Sequence, residues 1–118
     1  MMYGVHFLNM KRFKIIKFED REIFFNTLRH FSRISDLILE KLNLDFYFND
    51  LYYSDENSGY ILETTDGRNI CKILIPWQFW DYSIEEIENI LDKIPKELYK
   101  VKKNFFDLRE LVRKVCTW

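Results

Sequence analysis

Two hydrophobic periods divide this chain. From Glu19 to Leu42 the period is helical: Phe24, Leu28, Phe31, Ile38 and Leu42 fall on one face, widened by Ile23, Ile34 and Leu39. Glu19, Asp20 and Glu22 sit in the first turn, where the helix dipole favours negative charge. Ser32 and Ser35 lower helix propensity midway and leave two arrangements open, one long helix over 19–43 or a break into Glu19–Phe31 and Ser35–Leu42. The periodicity survives the join and favours one helix. After Leu42 the period becomes two. Leu44, Phe46 and Phe48 alternate with Asp45, Tyr47 and Asn49, as a half-buried strand requires, and the strand pattern runs on to Tyr53. A polar turn over 54–59 follows.

The stretch 59–75 reads as a β-hairpin. Asp66-Gly67 is a strong two-residue turn signal, because a type I′ loop needs positive φ at both central positions. With those two at the tip, Thr65 faces Arg68, Glu63 faces Ile70, and Leu62 faces Cys71. Tyr60, Leu62, Cys71, Ile73 and Ile75 then share one face, directed at Leu28 and Phe31 of the helix. Glu63, Thr65, Arg68 and Lys72 share the other with Ile61, Ile70 and Leu74. Pro76 ends the second strand and opens an aromatic corner of Trp77, Phe79, Trp80 and Tyr82.

Ser83 with Glu86 three residues later is a capping box, and Tyr82 and Ile87 are placed as a hydrophobic staple. Ile84, Ile87, Leu91 and Ile94 form the buried stripe of this helix, and Pro95 ends it. A basic connector over 96–103 leads to a last helix, expected to be capped by Asn104. Its Leu108, Leu111, Val112 and Val115 point inward, and Arg109, Arg113 and Lys114 outward. At the other end of the chain, Tyr3–Leu8 and Arg12–Phe18 read as two short strands or one bent strand. Met10-Lys11-Arg12 has the form of a bacterial start, which leaves open two readings of residues 1–9, a native first strand or a dispensable extension. The expected fold is therefore α+β in a single domain over 1–118. An antiparallel sheet of four to five strands, including the 59–75 hairpin, packs against one long N-terminal helix and two C-terminal helices.

Composition agrees with a folded domain: 118 residues, 47% hydrophobic, 18% aromatic, three Gly and two Pro, with no alanine. The net charge of −1 hides a division. Residues 1–34 carry seven basic and three acidic side chains, residues 35–66 one and eight, residues 67–95 three and five, and residues 96–118 seven and three. The ends are basic and the middle acidic, an arrangement that can produce opposed surface fields. Lys and Arg interrupt every apolar run before Phe18, so no secretory leader or membrane span is expected, and a cytoplasmic location is. Cys71 and Cys116 are too few for a disulfide scaffold and are expected to be reduced.

Catalytic patterns are missing. His6 and His30 have no cysteine or second histidine at ligand spacing, so no metal site is assigned. Cys71 faces the expected core, where a thiol is inert, and Cys116 has no base nearby. Gly4, Gly59 and Gly67 are isolated and form no phosphate-binding loop. Glu85, Glu86 and Glu88 read as a solvated helix face. No catalytic residue, cofactor or enzymatic reaction is expected.

Binding is what remains. Asp45, Asp50, Asp55 and Glu56 are interleaved with Tyr52 and Tyr53, and Trp77, Trp80 and Asp81 follow the hairpin. Carboxylates among rigid rings suit a basic protein partner: the carboxylates attract it over distance and the rings supply contact area. In being α+β, aromatic-rich and without catalytic motifs, the chain resembles small bacterial immunity or inhibitor proteins. The resemblance implies stoichiometric occlusion of a toxin, such as a nuclease-like domain. The competing expectation is a nucleic-acid-binding accessory protein using Lys100, Lys102, Lys103, Arg109 and Arg113, although the chain contains no helix-turn-helix or zinc pattern.

Overall fold

Helix α1 (Arg21–Leu42) runs unbroken through Ser32 and Ser35. The structure, a computed structural model, describes residues 21–116. The expected strands Tyr3–Leu8 and Arg12–Phe18, the extension 1–9, and Glu19 and Asp20 lie outside the described residues. Of the two weak helix formers, Ser32 is half-buried, and Ser35 is fully buried with no hydrogen-bond partner for its hydroxyl among the described residues. Burial of Phe24, Phe31, Ile34, Ile38 and Leu39 on the inward stripe outweighs the low propensity of two serines. The helix closes in a Schellman motif. Asn43 takes φ 56°, its N–H donates to Glu40 O at 3.2 Å, and Leu44 N–H donates to Leu39 O at 3.1 Å.

Three antiparallel strands follow, β1 (Tyr47–Ser54), β2 (Gly59–Thr65) and β3 (Ile70–Ile75). Short β4 (Phe105–Asp107) completes the order β1-β2-β3-β4. The wholly antiparallel sheet expected from sequence needs correction here: β4 runs parallel to β3, pairing Ile73 with Phe106. The intervening chain contains a 3₁₀ turn (Trp77–Trp80), helix α2 (Ile84–Asp92) and a second 3₁₀ turn (Lys96–Leu98). A crossover that long allows a parallel return, which a tight turn cannot. Helix α3 (Leu108–Val115) starts directly after β4. Its cap is the Asp107 side chain, which accepts from Glu110 N–H at 3.0 Å. Asn104, the expected cap, instead lies with Lys103 in a left-handed turn before β4, and its carbonyl accepts from Lys72 N–H. The Ser83–Glu86 capping box of α2 forms as expected, with Ile87, Leu91 and Ile94 buried.

The hairpin register differs from expectation by two residues. Leu62 pairs with Ile73, Glu63 with Lys72, and Thr65 with Ile70, so the loop holds Asp66, Gly67, Arg68 and Asn69. Side-chain hydrogen bonds explain the longer loop. The Asp66 carboxylate accepts from the N–H groups of Arg68 (2.8 Å) and Asn69 (2.7 Å), which holds its pKa below the usual value. The Thr65 hydroxyl donates to Asn69 O at 2.6 Å and accepts from Gly67 N–H. Gly67 still supplies a positive φ of 97°. A shift of two preserves the pleat, so the expected faces survive.

Both faces are nonetheless buried. On the side of α1 lie Leu62, Ile73 and Ile75. On the second face Ile61 and Leu74 are buried together with Glu63 (4% exposed), and Lys72 is half-buried. Strand β1 joins this arrangement through a bulge between Phe48 and Asp50. Up to Phe48 the expected alternation holds; after Asn49 it reverses. Leu51 and Tyr53 then share the α1 side with their partners Leu62 and Tyr60, while Asp50 and Tyr52 pair with Glu63 and Ile61 on the second face.

Emptying the α1 side of the sheet is costly. Leu62→Ala or Ile73→Ala should lower unfolding free energy by about 2–5 kcal/mol. Ile70→Ala, at a position 42% exposed, should change it by less than about 1 kcal/mol. Urea denaturation of the three variants checks this ranking.

Candidate interaction surface

One end of the sheet gathers the side chains of interest. Gly59 at the start of β2 pairs with Ser54, and Tyr60 with Ile75, so the β1–β2 turn and the 3₁₀ turn after Pro76 emerge together. The turn carries Asp55 and Glu56, both exposed; the 3₁₀ turn carries Trp77, 61% exposed, and is followed by exposed Asp81. Proline ends β3 because it cannot donate to a ladder, and its extended backbone aims the aromatic turn away from the strand.

Inward from this end runs a row of rings in edge contact. Tyr53 meets Tyr60 with centroids 5.3 Å apart, Tyr60 meets Trp80 at 5.3 Å, and Trp80 meets Phe31 of α1 at 4.6 Å. Burial, and then the neighbouring Tyr53, push the Tyr60 hydroxyl above its ordinary pKa. The two tryptophans of this short connector therefore divide: Trp80 is packed, its indole N–H buried without a hydrogen-bond partner among the described residues, and Trp77 faces solvent. His30 belongs to the packing, with Nε2 3.0 Å from Phe79 O and its ring against Phe31.

The guanidinium of Arg109, in the first turn of α3, ties the β1–β2 turn down. Nη1 donates to Ser58 O at 2.8 Å and Nη2 to Asn57 O at 3.0 Å. Gly59 makes room for it, since a Cβ there would stand 2.6 Å from Nη1 and 3.0 Å from Leu74 Cδ1. Tyr53, Tyr60, Ile75 and Trp77 wall a cleft of about 270 Å³ with Arg109 on its lining.

Of the nine residues the sequence proposes for a partner, the structure brings Tyr53, Asp55, Glu56, Trp77, Trp80 and Asp81 to this end. Three do not join them. Asp45 is exposed before the start of β1, at the opposite end; ten residues of extended chain span roughly 30 Å. Asp50 and Tyr52 are corrected from exposed contacts to buried ones, 4% and 7% exposed, because the bulge turns them onto the second face. There Asp50 Oδ1 accepts from Leu51 N–H at 2.8 Å.

The alternative basic set is dispersed in role. Lys100, Lys102 and Lys103 are exposed, and Lys102 pairs its backbone with Phe105. Arg113 lies 3.3 Å from Glu110, and Arg109 is not outward but bound to the turn carbonyls. The role of Arg109 and the participation of Tyr60 were missed in the sequence. The only local signal was Gly59 closing a polar turn, which does not reveal what approaches it.

A larger cleft of about 430 Å³ lies between the ends of α1 and α2. Lys41 Nζ donates to Asp92 Oδ1 at 2.6 Å across it, a half-exposed pair of small energetic weight. The Tyr99 hydroxyl donates to Leu91 O at 2.6 Å, and the ring stacks on Phe106. Burial, with Asp92 next, pushes the Tyr99 hydroxyl up to about 12. Cys71 and Cys116 are both free thiols, and burial pushes Cys71 up, which suppresses its thiolate. Among the described residues no group of acidic, histidine and cysteine side chains is placed to hold a metal ion, and no helix is long and apolar enough to cross a membrane.

Fold and site together define a mixed α+β protein with an aromatic, carboxylate-bearing end. Comparison with known proteins finds no matching family model, no matching curated protein and no matching solved structure.

Two outcomes follow from this geometry. Gly59→Ala should lower stability by about 1–3 kcal/mol, as overpacking does, and increase amide exchange at Asn57 and Ser58, read by NMR. For Tyr99, the folded pKa lies above the unfolded value of 10.0, so its contribution is fully present below pH 10 and is lost as pH rises toward 12. The stability advantage of the wild type over Tyr99→Phe should therefore shrink by about 1–3 kcal/mol between pH 9 and pH 12 in denaturation titrations.

Proposed function

We propose that this chain is a small protein-binding module of the bacterial cytoplasm, most concretely an immunity or inhibitor protein that neutralises a toxin by stoichiometric occlusion. It carries out no chemistry and needs no cofactor. The partner presents a basic surface, as a nuclease-like toxin domain would. The single observation that carries the reading is the exposure of Trp77 beside exposed Asp55, Glu56 and Asp81 at one end of the sheet. A large exposed indole on a short, proline-led turn is the kind of anchor on which binding energy concentrates, and carboxylates around it speed encounter with a cation-rich surface. The packed row Tyr53–Tyr60–Trp80–Phe31 holds this end rigidly against α1, which lowers the entropy lost on binding. The nucleic-acid reading has less support, because Arg109 sits half-buried at the acidic turn rather than on an outward basic face, and Arg113 is next to Glu110.

The test is binding to the product of the neighbouring gene, followed by stopped-flow kinetics. Reversing Asp55, Glu56 and Asp81 to Lys should slow association by roughly tenfold or more at low salt and flatten its salt dependence. Trp77→Ala should leave association nearly unchanged and speed dissociation. Salt-sensitive binding to DNA or RNA that disappears on Lys102→Glu and Lys103→Glu, with no protein partner found, would replace this reading by the nucleic-acid one.

A further inference from the structure

The cleft beside Trp77 has a charge pattern that narrows what can cover it. Among the described residues, both side-chain hydrogen bonds of Arg109 go to neutral carbonyls and no carboxylate pairs with it. A guanidinium has five N–H donors in a planar fork, so donors remain beyond the two that hold the turn. Its neighbours in the cleft are the rings of Tyr53, Tyr60 and Trp77 and the side chain of Ile75. Any surface that seats on Trp77 and Tyr53 therefore takes water away from a cation, and leaving its remaining donors without an acceptor is costly.

We infer that the cleft receives a single aspartate or glutamate side chain of the protein partner, its carboxylate on Arg109 and its stem against Trp77 and Tyr53. At about 270 Å³ the space suits one side chain rather than a length of peptide. Asp55 and Glu56 precede Asn57 on the same turn, so carboxylates and a guanidinium are presented side by side. The matching surface carries basic groups around one carboxylate, and a uniformly basic surface is rejected at the cleft by repulsion from Arg109. Arg109 thus has two roles: it fixes the acidic turn, and it reads one charge of opposite sign to those the turn reads. This inference rests on the interaction reading above and adds the chemistry of its central contact.

Benzoate, benzamide and benzamidinium share one shape and differ in charge, so they probe the cleft without the partner. Titrated into the full chain at pH 7 and low salt, benzoate should shift the Trp77 indole N–H resonance saturably. Benzamide should bind about tenfold more weakly, the worth of one charge-assisted hydrogen bond, and benzamidinium more weakly still. Arg109→Gln should abolish the preference for benzoate, while Trp77→Ala, altered at an exposed position and read on the Gly59 amide at the cleft wall, should weaken all three alike. Tightest binding by benzamidinium would overturn the inference in favour of an aromatic cage for a cation; equal binding by all three, or no saturable shift, would also overturn it. Because no partner enters this titration, its failure leaves the kinetic test of Asp55, Glu56 and Asp81 standing, and failure of that test leaves the charge preference of the cleft measurable.

Discussion

The central hairpin is buried on both faces, and the rest of the described structure depends on that constraint. Leu62 and Ile73 are packed on one side and Ile61 and Leu74 on the other. A strand pair of this kind needs layers packed on the sheet as well as strands at its edges: α1 packs against β1 and β2, and α3 against β3. Strand β1 pairs along β2 and β4 along β3. Apolar residues on both faces give the hairpin a fixed place, but the pleat allows sliding in steps of two. The side-chain hydrogen bonds of Thr65 and Asp66 decide between those steps.

The bulge at Asn49 follows from the same constraint. An uninterrupted β1 would carry Asp50 on the same face as Phe48, directed at α1 and its apolar side chains. Inserting one residue puts Leu51 there instead, opposite Leu62, and moves Asp50 beside Glu63. Carboxylates are concentrated on the second face, where Asn49 Nδ2 donates to Glu63 Oε2 at 2.7 Å. Function and packing are thereby separated along one strand. Its first part contributes to the core, its middle buries Asp50, and its end carries Tyr53 into an acidic turn.

At that end, stiffness comes from connections between distant parts of the chain. Arg109 joins α3 to the β1–β2 turn, and the ring row joins β1 and β2 through Trp80 to α1. Each connection is modest in energy, yet together they hold loop residues in fixed relative positions. The left-handed φ of Ser58, 50°, belongs to the same turn and turns its carbonyl toward Arg109.

Sequence alone determined the elements whose signals are local. The long amphipathic helix, the capping box at Ser83, the alternation from Leu44 to Phe48, the hairpin faces and the proline-led aromatic corner are all readable because each depends on residues within a few positions of one another. Tertiary structure decided what depends on partners far along the chain. The parallel placement of β4 reflects where the crossover through α2 delivers Phe106; the cap at Asp107 follows from that strand ending there. Burial of Asp50 and Tyr52 depends on a bulge that no composition rule marks, and the attachment of Arg109 to Asn57 and Ser58 spans about half the chain. Charge and aromatic content drew attention to the middle of the sequence, but only pairing could sort its acids into buried and exposed ones. The physical reason is that periodicity specifies which side of an element is apolar, whereas the location of a charge depends on what packs against that side.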